Sequence, residues 1–337
     1  MDLVTYFARA TQQSGTAAVA LIDSRQTDPA VTWTPPAQPI EPCFLAYSIT
    51  KTFTAALVLR LQEKGLLTID APLAKWLPAV PQADVISLRQ LLNHTAGIPD
   101  YGSLPAYHAA VRATPAQAWR FEQFTAVTFA NGLAFAPGTG WAYSNPGYML
   151  LKRVAEMVAE KPFATLLAEE ITAPLGLART FVPQEVADLA PLAPAPSKAL
   201  STTDERLDTR LHYHPGWVSH GVVASPPSEI ARFYHALFGG QLLTAASLQE
   251  MTTLIRVPGE HRLWGEPSYG LGIMGDPASP VGLLWGHNGG GPGYSASAFH
   301  APNLNGRAVT VCVTSASEGG FAVEEVVVDL LKRLNAT

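Results

Sequence analysis

Ser48-Ile49-Thr50-Lys51 sets a hydroxyl and an amine three residues apart. On a helix, positions i and i+3 share a face, so the amine can reach the hydroxyl. A serine hydroxyl is a poor nucleophile until a neighbouring base takes its proton. Lysine serves as that base only when burial or a nearby cation depresses its pKa. Ser48 is the only serine of the chain with lysine at i+3. Taken alone, the tetrapeptide also reads as an N-cap serine followed by a solvent-facing lysine in the first helical turn.

Two further groups carry chemistry. Tyr143-Ser144-Asn145 lies between Pro137-Gly138 and Pro146-Gly147. A phenol and an amide two residues apart in a tight loop can point into one cleft, the phenol to relay a proton and the amide to bind a carbonyl. Asn-Pro-Gly is also simply a turn former. Trp285-Gly286-His287-Asn288-Gly289-Gly290-Gly291 follows an apolar run and precedes another. Its glycines permit close backbone approach to a ligand. A main-chain N–H there, paired with that of Ser48, would make a two-donor oxyanion hole. A Gly-rich hairpin with an incidental histidine is the plainer alternative.

Stepping outward, these groups need elements to hold them. Residues 1–13 read as a helix, and Thr16 to Asp23 and Val31 to Trp33 as strands, with a Pro-rich loop over 35–42. Phe53, Leu57 and Leu61 repeat at i, i+4 and i+8 between Ser48 and Gly65, which predicts a helix. Apolar residues on its other faces predict that it is buried. The stretch 66–220 reads as helices with Pro/Gly punctuation: Ser87 to His94, Gly147 to Ala159 and Phe163 to Ile171, with 183–216 as extended loop. Ser228 to Phe238 is helical. Tyr269 to Met274, Val281 to Trp285, Ser295 to His300 and Ala308 to Val313 read as strands, and Phe321 to Leu334 as a closing helix. Strands at both ends around a helical middle imply an α+β fold. The terminal parts, 1–65 and 225–337, would form one sheet flanked by the terminal helices. Residues 66–224 would be a mainly helical insertion, with the site between the two parts.

The three groups, in this order, resemble the class C β-lactamase and D-alanyl-D-alanine carboxypeptidase superfamily, which has S-x-x-K, then Y-x-N, then K-T-G or H-x-G. The likeness extends to Leu91-Leu92-Asn93-His94-Thr95-Ala96-Gly97-Ile98-Pro99-Asp100-Tyr101, Gly221 to Ser225 and Tyr269 to Gly272, and so covers the whole chain. It implies a β-lactamase/transpeptidase-like fold with a central antiparallel sheet. It implies Ser48 as nucleophile, Lys51 as its base partner, Tyr143 as proton shuttle and Asn145 as substrate-orienting amide. His287 takes the place of the lysine of K-T-G, and the N–H groups of Ser48 and Gly290 would form the oxyanion hole. Which of Lys51 and Tyr143 takes the serine proton is left open, since the two titrate as one unit. His287 is expected to be partly charged, giving activity a pH dependence between about 5.5 and 7.5. It would anchor a substrate carboxylate less firmly than lysine, and Asn288 replaces a hydroxyl residue that often helps there. Both changes favour an esterase, amidase or peptidase over a dedicated β-lactamase. His220 stands where the family often has a small residue; it would either line the pocket or be an ordinary loop histidine, and the second reading is favoured. Tyr101, Phe135 and Trp217 are candidate pocket walls.

The expected activity is hydrolysis of a small-molecule ester or amide through an acyl-serine, with no cofactor. Acyl transfer from the same intermediate is the alternative within enzymes. A non-turnover ligand-binding module is the alternative outside them, though it would need none of Ser48, Lys51 and Tyr143. Composition narrows the rest. A net charge of −5 with scattered basic residues argues against nucleic acid. No apolar run is long enough to span a bilayer. His212-Tyr213-His214 offers two imidazoles without a third ligand, so no metal is expected. Cys43 and Cys312 read as buried thiols. Met1-Asp2-Leu3 opens without a basic and then apolar leader, giving a cytoplasmic expectation. An exported domain that has lost its leader fits as well.

Overall fold

The structure is a computed structural model and describes residues 3–11, 15–26, 28–34, 39–318 and 322–336. The ends of the helix expected at 1–13, residues 35–38 of the loop at 35–42, and Phe321 lie outside the described residues.

Eight antiparallel strands form the main sheet. In chain order they are β1 (Ala17–Asp23), β2 (Ala30–Thr34), β3 (Ile255–Arg256), β4 (Ser268–Tyr269), β5 (Met274–Ser279), β6 (Gly282–Gly291), β7 (Tyr294–Leu304) and β8 (Arg307–Ser315), and their spatial order is β2-β1-β8-β7-β6-β5-β4-β3. The first and last strands therefore lie side by side near one edge: β1 pairs with β8 in a register that sets Val19 opposite Val313 and Leu21 opposite Val311. Alternation along a strand sorts side chains to two faces. Val309, Val311 and Val313 join one apolar cluster with the terminal helices α1 (Leu3–Ala10) and α5 (Val323–Asn335). Ala18, Ala20 and Cys312 face the other, larger cluster. The Tyr6 hydroxyl donates to Asp329 across the two terminal helices at 2.7 Å.

On that second face lie α2 (Thr50–Glu63), α3 (Asn145–Ala159) and α4 (Pro227–Phe238). As its all-round apolar pattern predicted, α2 is buried except at Arg60, Gln62 and Glu63. Phe53 stacks on Phe233 of α4 with ring centroids 3.7 Å apart, a burial worth roughly 1.5–3 kcal/mol. Its buried threonines are all engaged: Thr50 Oγ1 accepts from Val223 N at 2.9 Å, Thr52 Oγ1 donates to Gly272 O at 2.8 Å, and Thr54 Oγ1 donates to Thr50 O at 3.1 Å. Gly272 has φ +69, and a Cβ there would strike Ala55 and Lys51 O, so the chain at 270–273 presses on the helix as only glycine allows.

Two expected strands differ. The run Tyr269 to Met274 is broken: Tyr269 ends β4, Met274 begins β5, and Gly270–Ile273 bulges between them against α2. The strand expected at Val281 to Trp285 instead continues through the glycine run to Gly291. β5 pairs only as far as Gly286, so the edge of β6 beyond it is left open on that side. Among the described residues, no helix is long and apolar enough to cross a membrane. Both cysteines are buried and free.

Candidate active site

The turn carrying Ser48 is held from three sides. Phe44–Leu45 pairs with Ala224–Ser225, Ala46 N donates to Val223 O at 2.8 Å, and the chain then folds into a short 3-10 turn, Tyr47–Ile49, that leads into α2. Tyr47 has φ +45, a conformation non-glycine residues rarely adopt. Its hydroxyl donates to Pro292 O at 2.6 Å, which ties the strained residue to the β6–β7 connection. The open edge of β6 packs on the same turn: a Cβ on Gly289 would overlap Ala46 O and stand 3.2 Å from Ser48 N. Gly289 thus admits the backbone of Ala46, and the segment is a strand.

Lys51 is fully buried. Its Nζ is 3.2 Å from Ser48 Oγ, 2.7 Å from Asn145 Oδ1 and 3.0 Å from His220 Nε2. It also sits 4.8 Å from the centre of the Tyr143 ring. Burial lowers its pKa to about 7, against a smaller upward pull from the Asp100 charge. Burial also pushes the Tyr143 phenol well above its usual value, and a hydrogen bond with Ser48 acts the other way. Ser48, Lys51, Tyr143 and Asn145 are thus brought together.

Asn145 is oriented by a residue that sequence reasoning did not single out. It opens α3, with Ser144 as N-cap accepting from Gly147 N at 3.2 Å. Asp100 accepts from both Asn145 N (3.0 Å) and Asn145 Nδ2 (3.2 Å). That fixes the amide with Oδ1 toward Lys51. Burial raises the Asp100 pKa, while its bonds with Asn145 and the Lys51 charge oppose the rise.

Three imidazoles surround this group: His94, His220 and His287. Burial, and then the Lys51 charge, lowers the pKa of each, that of His287 to about 3. Two expectations need correction. His287 does not titrate near neutrality and does not line the cavity at Ser48. Its Nδ1 donates to Asn288 O at 2.5 Å, so its Nε2 accepts from the Tyr269 hydroxyl at 2.9 Å. Asn288 turns to the opposite face, where its Nδ2 donates to Glu324 at 2.6 Å. His220, read as a loop histidine, is 2% exposed and touches Lys51. Only its Nε2 has a partner; its Nδ1 finds none in the protein.

Ser48 opens into a cavity of 370 Å³ that Asn145, His220 and Gly290 also line. Of the three expected wall residues, Tyr101 and Trp217 line it. Tyr101 Oη is 2.8 Å from Ser219 Oγ, and Trp217 Nε1 donates to Pro115 O at 2.9 Å. Phe135 stands elsewhere, packed against Gly97 and Gly140. Tyr143 is not among the residues lining this cavity; it lines a separate apolar one of 190 Å³ with Trp141, Trp264 and Tyr269.

The chain as a whole is similar to known proteins. The family profile described as Beta-lactamase matches residues 4–331. Penicillin-binding protein 4* of Bacillus subtilis (strain 168) is 29% identical over 264 residues, 74% of this chain and 55% of that protein, so the match spans about half of the relative's length. Esterase EstB of Burkholderia gladioli is 29% identical over 40% of this chain and 37% of its own. Among solved structures, a D-stereospecific amidohydrolase from Streptomyces sp. superposes with a TM-score of 0.83 at 29% identity, covering 97% of this chain and 96% of that one.

Proposed function

The chain belongs to the beta-lactamase family, and on that premise we propose that it is a serine hydrolase that cleaves esters or amides through an acyl group on Ser48. The observation that carries this is the contact of Lys51 Nζ with Ser48 Oγ at 3.2 Å in a site dry enough to bring the amine to a pKa of about 7.

A neutral amine has two N–H groups and one lone pair. With the His220 proton on Nδ1, Asn145 Oδ1 and His220 Nε2 take the two N–H groups, which leaves the lone pair for the Ser48 hydroxyl. Lys51 is therefore the base, and Tyr143, whose phenol burial keeps protonated, is the donor side of the relay. Ser48 Oγ bonds to the substrate carbonyl carbon as its proton passes to Lys51. The oxyanion takes hydrogen bonds from the N–H groups of Ser48 and of Gly290, on the open edge of β6. The carbonyl then re-forms, the bond to the leaving group breaks, and that group departs with a proton delivered through Tyr143. Water cleaves the acyl-serine by the same steps in reverse order.

A buried, neutral His287 offers no charge to a substrate carboxylate, which favours ester or amide substrates without one. The relatives named for esterase and amidohydrolase activity support the same reading. The test is a panel of p-nitrophenyl esters and D-amino-acid amides with wild type and Ser48→Ala. Turnover of at least one by wild type and none by the variant is expected. Equal rates with both proteins refute the proposal.

A further inference from the structure

The wall of the Ser48 cavity carries a carboxylate and no ammonium or guanidinium. Tyr47, Tyr101, Tyr107, Tyr213 and Trp217 make it largely aromatic. Glu318 is its one acidic residue, and among the described lining residues none is lysine or arginine. Lys51 lies buried behind Ser48 and is not part of the wall. Of the two lining histidines, His220 is kept neutral by burial, and His108 has its Nε2 engaged by Gly102 O at 2.7 Å.

Glu318 follows β8 and reaches the cavity from the loop beside Pro292. Its Oε1 accepts from the Ser197 hydroxyl and, at 3.4 Å, from Gly293 N; its Oε2 accepts from Lys198 N at 2.8 Å. A carboxylate oxygen has two lone pairs, so Oε2 retains one. The charge is close enough to Tyr47, the neighbour of Ser48, to raise the Tyr47 phenol further after burial has done so. A carboxylate entering this cavity meets repulsion, whereas a cation meets a counter-charge held by three donors and a set of aromatic faces that also favour cations.

We infer that Glu318 is a specificity-determining residue that receives a protonated amine on the acyl part of the substrate, such as the α-ammonium of an aminoacyl ester, amide or peptide amino terminus. The aromatic wall then takes the side chain of that residue. The inference rests on the proposed acylation of Ser48 and adds the charge and class of the acyl group.

The test compares phenylalanine methyl ester, in both enantiomers, with 3-phenylpropionate methyl ester, which differs by the ammonium alone. Wild type is expected to favour one enantiomer of the amino ester in kcat/KM. Glu318→Gln, which keeps the shape and an acceptor, is expected to lose about tenfold on that ester, between the effects of exposed and buried charge pairs. Its rate on 3-phenylpropionate methyl ester should be unchanged. Equal losses on both esters mean that Glu318 only ties loops together, and overturn the inference; so does no loss on either, or a wild-type preference for the ester without the amine. In those three cases the turnover of 3-phenylpropionate methyl ester leaves the hydrolase reading standing, whereas no turnover of any of the esters overturns both.

Discussion

His220 Nε2 lies 3.0 Å from Lys51 Nζ, with both side chains buried. In its Nδ1–H tautomer it takes up, with Asn145, the two N–H groups of the neutral amine, and so directs the remaining lone pair to Ser48. His220→Leu removes the acceptor and keeps the apolar bulk. It is expected to lower kcat on a p-nitrophenyl ester by about tenfold or more, as loss of positioning at a reacting group does, and to shift the acid limb of the pH profile downward, because the ammonium loses one of its acceptors. His220→Gln restores an acceptor and should recover most of the rate. A Leu variant with wild-type rate and profile contradicts the role.

The direction of the pH dependence follows from Lys51. Burial lowers its pKa to about 7, and only the deprotonated amine can accept the Ser48 proton. Below that value the ammonium dominates and kcat/KM falls about tenfold per pH unit; above it the rate levels off. His287, lowered to about 3, is neutral throughout. Wild-type kcat/KM measured from pH 5 to 9 should show this acid limb, and His287→Gln should keep its midpoint. A midpoint that moves with His287→Gln assigns the limb to the imidazole instead.

Asp100 acts through Asn145. Its charge raises the Lys51 pKa, and its two oxygens hold the Asn145 backbone and amide. Asp100→Asn removes the charge, so the acid limb should move to lower pH. Its own amide can donate to Asn145 and let that side chain turn, so kcat should drop about tenfold or more. Both readouts come from the same pH–rate series, and a shift to higher pH contradicts the assignment.

Gly289 and Gly290 separate packing from access. A Cβ on Gly289 meets the Ala46 carbonyl, whereas one on Gly290 meets nothing within 4 Å. Gly289→Ala is expected to cost about 1–3 kcal/mol by overpacking, seen as a lower Tm, and to displace the Ser48 turn. Gly290→Ala should leave the Tm unchanged. Equal Tm values for the two variants contradict the tight fit of β6 on that turn.

The parts of the site that local spacing governs were legible in the sequence. Ser48 and Lys51 are three apart at the head of α2, and Tyr143 and Asn145 are two apart at the head of α3, so their identities and order carried the site. The sheet followed from alternation such as Val309, Val311 and Val313. What escaped depends on contacts far apart in the chain. His287 is neutral because burial and then the Lys51 charge oppose its protonation, Asn288 turns to Glu324, and His220 crosses 169 positions to reach Lys51. Asp100 was present in a noted segment, and a carboxylate 45 positions before Asn145 gave no sign that it would clasp it. The glycine run reads as room for a ligand to approach the backbone; at Gly289 what approaches is the backbone of Ala46.

The most direct measurement is the mass of the enzyme during turnover. Wild type mixed with excess p-nitrophenyl ester, acid-quenched within milliseconds and digested, should carry the acyl mass on the peptide containing Ser48, and the adduct should disappear as substrate is consumed. Lys51→Ala should form it orders of magnitude more slowly. Turnover without any such adduct, or an acyl group found on a residue other than Ser48, contradicts covalent catalysis by this serine.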